Sequence, residues 1–288
     1  MFFKIAQWYK NSHFRSRLLD RTFVFILSLM TNFLARLKEM HFPQKYDWSM
    51  KMEMLFQYYE RGTVSLCKKI IKPGMTVIDV GAHIGYYSIL FSKLVGKEGR
   101  VFAFEPEPVN LEILKRNVRR FKNIKIIPKA ISNKVGVVEF FRSKDKTGCH
   151  SLLSADFRRD KIKVESVTLD YFISELQFPK IDLIKMDIEG GEPYAVLGMK
   201  ILLQSNKDIM LISEFNMENL SLSGVPDKFL ENFYHLGFKV FMIKDEGQIE
   251  IVRPEGFKKI KELIREREKR FGDSEKSYIN IFCKRNNF

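Results

Sequence analysis

Thr76-Val-Ile-Asp-Val-Gly-Ala-His-Ile-Gly85 decides how this chain is read. A run of β-branched residues breaks at Asp79 and Gly81, then continues as Ile84-Gly-Tyr-Tyr-Ser-Ile-Leu-Phe91 with its apolar positions at helical spacing. A buried strand, a tight glycine turn and a helix start form the first βα unit of a nucleotide-binding sheet. Gly81 permits a positive φ or a close ligand approach, and Gly85 lets the helix pack near the strand. The G-x-G-x-x-G fingerprint of NAD sites is not met, because His83 and Tyr86 stand where its second and third glycines belong. Asp79, ahead of the first glycine, suits a loop that holds an aminoacyl group better than one that cradles a pyrophosphate.

Outward from this unit the pattern repeats. From about Asp47 to Ile71 the chain reads helical, stopped by Lys72-Pro73-Gly74 just before the strand. Downstream, Arg100-Val-Phe-Ala-Phe-Glu105-Pro106 is a second buried strand ending in an acid, 26 residues past Asp79. A carboxylate there can accept hydrogen bonds from both hydroxyls of a ribose. A helix from Pro108 to Phe121 and a third strand from Ile124 to Ile131 follow. Gly136–Phe141 and Lys161–Val167 then read as β segments around a polar loop, and Thr168 caps a short helix. Ile181–Asp187 is a buried strand running into Glu189-Gly190-Gly191. A helix to about Gln204, a strand at Asp208–Phe215 and a helix at Asp227–Leu236 come next. Two late strands, Phe238–Ile243 and Tyr278–Cys283, predict an antiparallel finish to a parallel sheet. The charged stretch Phe257–Arg270 between them reads as an exposed helix.

With 288 residues the chain can bury a full core, and its aromatic content excludes a disordered protein. Cys67, Cys149 and Cys283 form no C-x-x-C pair, which excludes a disulfide framework or zinc cluster and suits a reducing, cytoplasmic compartment. The net charge of +14 is concentrated at the ends, with +5 in residues 1–50 and +5 in residues 253–288, leaving +4 for the middle. Basic ends around a nearly balanced centre point to an anionic partner surface or to a solvated lysine-rich exterior.

Residues 1–50 differ from the rest. Their apolar run between Arg21 and Arg36 is shorter than the roughly 20 residues a spanning helix requires, and no small-residue cleavage site follows it. Either a helix lies in a membrane interface, bringing residues 1–40 to a membrane surface, or it caps the domain that follows or forms a dimer contact. The chain therefore divides into an extension, 1–50, and a domain, 51–288.

Val77-Ile-Asp-Val-Gly-Ala-His-Ile-Gly-Tyr-Tyr-Ser88, Phe104-Glu-Pro-Glu-Pro-Val-Asn110, Ala130-Ile-Ser-Asn-Lys-Val-Gly136, Thr168-Leu-Asp170 and Ile184-Lys-Met-Asp-Ile-Glu-Gly-Gly-Glu192 with Val196-Leu-x-Gly198 together resemble the class I S-adenosylmethionine-dependent methyltransferases of the FkbM family. The resemblance covers roughly residues 70–215, and His83 departs from it where asparagine is more usual. It implies an α/β Rossmann-like, mostly parallel seven-stranded sheet with S-adenosyl-L-methionine at its carboxyl edge. Asp79, Gly81, Ala82, His83 and Gly85 would hold the methionine end and Glu105 the ribose. Pro106 and Asn110 would shape the wall, and Ala130 and Ile131 would lie at the adenine edge. The acceptor it implies is a hydroxyl on a sugar, glycan or glycolipid.

A hydroxyl acceptor needs a general base within hydrogen-bond reach. The candidates are His150, Asp187, Glu189 and Glu214. Gly148-Cys-His-Ser-Leu152 resembles a Gly-x-His-Ser-Leu segment of the family, and histidine titrates near neutrality. Asp187 and Glu189 alternate at a strand end, which predicts opposite faces, one toward the cofactor and one bonding the Gly190-Gly191 turn. Glu192 suits the following helix N-terminus. The alternatives are a nucleic-acid methyltransferase, a magnesium-dependent enzyme using Asp187, Glu214 and Asn216, and a non-enzymatic scaffold. The first lacks the Asp/Asn-Pro-Pro-aromatic string of amino-methylating enzymes, having Asp187-Ile-Glu-Gly190 instead. The second relies on oxygen ligands, which a hard cation prefers. The last conflicts with an intact cofactor loop, and the expectation is a site without metal.

Overall fold

The computed structural model describes residues 17–44, 46–142, 151–152, 160–177, 179–216, 220, 226–253, 260, 262, 264 and 278–285. Three helices precede the sheet: α1 (Arg17–Leu37), α2 (Trp48–Leu55) and α3 (Arg61–Ile70). The stretch expected to be helical over 47–71 thus forms two helices. Asp47 caps α2 by accepting from the Ser49 and Met50 amides, and the chain then turns through Gln57 and Glu60, both at positive φ. Tertiary contacts hold the break open. Tyr59 meets Tyr86 edge-on, with ring centres 5.6 Å apart, and the Tyr87 hydroxyl donates to Glu60 Oε2 at 2.6 Å.

The sheet begins with β1 (Thr76–Val80), α4 (Tyr86–Val95), β2 (Arg100–Phe104), α5 (Pro108–Val118) and β3 (Ile124–Ile127). The third strand ends earlier than expected. Pro128 cannot donate to a ladder, and the chain leaves for a second sheet as β4 (Ala130–Ile131), joined by β5 (Gly136–Arg142) and β6 (Asp160–Val167) in the order β4-β6-β5. After α6 (Leu169–Glu175) the chain re-enters the main sheet as β7 (Leu183–Met186). The helix expected to run to Gln204 is instead α7 (Glu192–Leu197) and α8 (Lys200–Ser205). Between them Gly198 lies so close to Ser132 that an added Cβ would be 2.1 Å from its carbonyl oxygen.

The last elements are β8 (Met210–Asn216), α9 (Pro226–His235), β9 (Lys239–Ile243), β10 (Ile249–Val252) and β11 (Tyr278–Lys284). The main sheet has the order β10-β9-β11-β8-β7-β1-β2-β3. β3, β2, β1, β7 and β8 pair in parallel, and β11 runs antiparallel to β8 and β9. The antiparallel finish is as expected, but the sheet has eight strands rather than seven. The added strand is β10, paired antiparallel to β9 across the turn Asp245–Gly247, where Glu246 and Gly247 take positive φ. The charged stretch 257–270 is described only at residues 260, 262 and 264. They are helical, and Ile260 and Ile264 are buried in the main core while Glu262 is exposed, so this is not simply an exposed helix.

All five parallel strands end at one edge, and the strand order reverses between β1 and β7. Ligands of open α/β sheets bind at such a reversal.

Candidate functional site

The β1–β2 side of this edge is built from backbone. Gly81 has φ +82°, and an added Cβ would lie 2.0 Å from the carbonyl oxygen of Asp187, so only glycine lets the loop pass beside the end of β7. Gly85, at φ +89°, caps α4 where a side chain would strike Leu114. The amides of Gly81 and Ala82 both donate to the Phe104 carbonyl, tying the loop to β2. Glu105 is buried at 4% exposure, and its two oxygens accept from the amides of His83 (2.8 Å) and Glu107 (2.9 Å). Burial pushes its carboxyl up to about 7, against the two backbone bonds, which lower it. Each oxygen keeps a second lone pair, so the residue can still accept from a diol.

Asp79 is fully buried. One oxygen accepts from the Ser88 hydroxyl at 2.6 Å, and Oδ1 has no hydrogen-bond partner. Burial raises its pKa, with Lys185 and Ser88 opposing. A buried acceptor left over beside a glycine loop is what an ammonium group would complete, and the acid at β2 is what a ribose would complete. These residues fit an aminoacyl nucleoside. Asn110 is buried in the first turn of α5, where its amide donates to Glu107 Oε2, and Pro106 lies half-buried before it. Ala130 packs against Phe140 and Val164 and Ile131 joins the main core, so both side chains serve packing.

The β7–β8 side is built from side chains. Asp79 and Lys185 are register partners across β1 and β7, and Glu214 and Asn280 are partners across β8 and β11. Lys185, 2% exposed, donates to Asp187 Oδ2 at 3.0 Å and lies 4.5 Å over the Tyr87 ring. Burial lowers its pKa, but Asp187, Asp79 and Glu60 outweigh that and raise it. Burial likewise raises Asp187, yet Lys185 and a bond from Glu214 hold it below the usual carboxylate range. Glu214 is driven well up by burial and by Asp187, Glu189, Glu192 and Glu60, and its side chain bonds Asp187. Glu60, at the N-terminus of α3, completes the group and is raised by burial. Tyr278 also contacts it electrostatically, its own pKa raised by burial first.

Glu60, Asp187 and Glu214 offer oxygens within 4.8 Å of one another. Oxygen ligands suit a hard cation, and Lys185 already pairs with one oxygen of Asp187 in that set. Lys185 supplies a countercharge within the cluster.

The structure thus brings together Asp187 and Glu214 among the expected catalytic residues. Glu189 lies beyond the end of β7, at φ +54°, so strand alternation does not set its side chain opposite Asp187. Its charge acts on Glu214 as Asp187's does. The turn amides are bonded instead by Glu192, whose oxygens accept from Ile188 (2.8 Å) and Gly190 (2.9 Å). His150 lies outside the described residues. The next residue, Ser151, is buried and donates to the Glu189 carbonyl at 2.7 Å. Sequence reasoning missed Glu60, Tyr278 and Asn280 and gave Lys185 no role. Only Lys185 carried a signal, as a charge inside an apolar strand two residues before an acid.

The profile described as "Methyltransferase FkbM domain" matches residues 79–270. The chain belongs to the FkbM methyltransferase family. It is therefore a methyltransferase, as the resemblance implied. It is 28% identical over 181 residues to 2-O-methyltransferase NoeI of Sinorhizobium fredii, covering 58% of this chain and 72% of that protein. Over 130 residues it is 28% identical to the hexuronic acid methyltransferase AglP of Haloferax volcanii, covering 44% of this chain and 51% of that one. The solved structure of Aeropyrum pernix fibrillarin with natively bound S-adenosyl-L-methionine aligns at a TM-score of 0.40 and 11% identity, covering 77% of this chain and 73% of that one. Glu60 precedes the stretch the family profile matches.

Proposed function

We propose that this FkbM-family enzyme transfers a methyl group from S-adenosylmethionine to a hydroxyl of a saccharide. The observation that carries the reading is the carboxyl cluster of Glu60, Asp187 and Glu214, set beside the glycine loop at the strand reversal. Carboxylates accept from sugar hydroxyls, and Tyr59, Tyr86, Tyr278 and Asn280 surround Glu60 in the cluster. The similarity to a 2-O-methyltransferase and a hexuronic acid methyltransferase points the same way.

In this reading Asp79 and Gly81, with Ala82, His83 and Gly85, hold the aminoacyl end, and Glu105 holds the ribose beside Pro106 and Asn110. Ala130 and Ile131 lie toward the base. When bound, the cofactor would supply an activated methyl group on a sulfonium that serves as the leaving group. The chain's task is to hold the acceptor oxygen in line and take its proton. His150 is the proposed base. The Asp187–Glu214 pair fixes the acceptor by hydrogen bonds, and Lys185 keeps Asp187 ionised. The test is transfer of a labelled methyl group to saccharides, glycolipids and RNA. Product on a sugar hydroxyl, with His150→Ala lowering turnover but not cofactor affinity, supports the reading. Transfer confined to RNA overturns the acceptor. Activity insensitive to His150→Ala but abolished by chelators replaces the base with a cation at the carboxyl cluster.

We also infer that α1 lies on a membrane surface, residues 1–50 being an extension of the catalytic domain 51–288. Phe25, Leu29, Phe33 and Leu37 are each more than half exposed along it, while Leu27, Thr31 and Ala35 are buried. Among the described residues no helix is long and apolar enough to cross a membrane. Exposed apolar side chains on a chain of net charge +14 fit an anionic lipid surface.

A further inference from the structure

Away from the sheet edge a cavity of about 290 Å³ opens between α1, α2 and the end of α5. Its apolar walls are Ala35, Met40 and Phe42, and its polar ones include Asn32, Arg36, His41, Lys51 and Arg119. Lys51 is only 8% exposed. Its ammonium donates to a neutral acceptor, Asn32 Oδ1, at 2.9 Å and faces the Phe42 ring at 5.8 Å. Burial lowers its pKa, and the carboxylate that opposes this, Asp47, is committed to capping α2. A buried cation without a carboxylate in contact is costly.

The other charges around the cavity sharpen the point. Arg36 and Arg119 are exposed, and neither forms an ion pair among the described residues. Glu39, the one acid on the wall, is paired with Arg120 at 2.7 Å. Three cations therefore converge on a concave space whose only anion is already neutralised. The floor is fixed, since the His41 amide donates to Asn117 Oδ1 (2.7 Å) and Asn117 Nδ2 donates to the carbonyls of His41 and Ile84.

We propose that this cavity is a binding site for a phosphate group. Two guanidinium forks and a buried ammonium match the multiple oxygens of a phosphate monoester, and a neutral ligand would leave Lys51 uncompensated. The group has two possible sources. Arg36 follows Phe33 by three positions on α1, so it borders the exposed stripe Phe25, Leu29 and Phe33, and a lipid phosphate could enter from that side. A free phosphate or soluble phosphate ester offers the same chemistry without the chains. The site is independent of the methyl-transfer reading.

The experiment uses the full chain. Calorimetry with inorganic phosphate and with glycerol phosphate, against glycerol as control, measures the site directly. Saturable binding of the phosphates alone is expected, weakened roughly tenfold or more in Arg36→Gln and in Arg119→Gln. Both arginines are exposed, so these variants test the site without disturbing the buried Lys51. Flotation with vesicles of phosphatidylcholine, alone or with phosphatidic acid or phosphatidylglycerol, separates the sources. Preference for phosphatidic acid that the arginine variants lose assigns a lipid headgroup. Phosphate binding that the variants lose, without that preference, assigns a soluble phosphate. Phosphate and phosphatidic acid binding that is absent, or is unchanged in the double arginine variant, overturns the site.

Discussion

Around β1 and β2 the sheet edge is lined by main chain. Glycines at positive φ, paired amides and the twin backbone bonds to Glu105 make a fixed cradle. Around β7, β8 and β11 it is lined by ionisable side chains from separate segments, Glu60, Lys185, Asp187 and Glu214. Backbone geometry makes demands at fixed spacing, so the first side suits a cofactor that does not vary. Side chains can be exchanged without disturbing the strands beneath them, so the second suits an acceptor that differs among relatives.

If the second side is held together by charge, removing Lys185, its one buried lysine among the described residues, should have the largest effect. Lys185→Met leaves Asp79, Asp187 and Glu60 buried without compensation, and we expect a loss of about 3–5 kcal/mol at neutral pH. Denaturant unfolding measures it. The deficit should shrink as pH falls and the carboxyls take up protons. A loss independent of pH would mean that Lys185 contributes only packing.

On the first side the corresponding test is steric. Gly81→Ala adds a Cβ 2.0 Å from the Asp187 carbonyl in addition to an unfavourable φ, for which we expect about 2–4 kcal/mol of destabilisation. Gly74→Ala is the control, since its φ is +85° with nothing within 4 Å of the new Cβ, and strain alone should cost about 1–2 kcal/mol. Equal effects in unfolding experiments would show that the close approach of loop to β7 is unimportant.

The same asymmetry explains what was legible in the sequence. Asp79, Gly81, Gly85 and Glu105 lie on two consecutive βα units, where turn chemistry forces recognisable residues at set distances. Asp187 and Glu214 were found because each stands close to the end of a buried strand. Glu60 was hidden because residues 47–71 carry helical spacing throughout. The break at 56–60 exists through contacts with Tyr86 and Tyr87, which local sequence does not encode. β10 was missed for a similar reason, a four-residue strand whose partner and turn define it more than its own composition. The opposite-face argument for Asp187 and Glu189 failed because β7 ends at Met186, before either residue.

Ribose recognition offers a smaller, local test. Glu105→Ala removes the acceptor from the cradle and should weaken cofactor binding by roughly 1.5–3 kcal/mol, the scale of a hydrogen bond to a charged group. Calorimetry showing unchanged affinity would release Glu105 from that role.

The finest test separates the two consequences of burying Glu105. Its carboxyl is raised from 4.5 to about 7 in the folded chain, chiefly by burial. The folded state therefore binds a proton more readily than the unfolded state between those values, and this residue's contribution to stability falls as pH rises through the window. Glu192, raised to about 7 by burial, adds to the slope in the same sense. Cofactor binding should run the other way. With the ribose hydroxyls donating to an ionised Glu105 as proposed, affinity should be full above about 7 and decline toward tenfold per pH unit below it. Calorimetric titrations on either side of neutrality, paired with unfolding at the same pH values, follow both trends. Glu105→Gln, which cannot ionise, should flatten the pH dependence of affinity at the weak, low-pH level. The stability slope should lose Glu105's share and keep that of Glu192. If affinity in the wild type is flat through neutrality, the ribose does not depend on an ionised Glu105, and the cradle acts through its backbone alone.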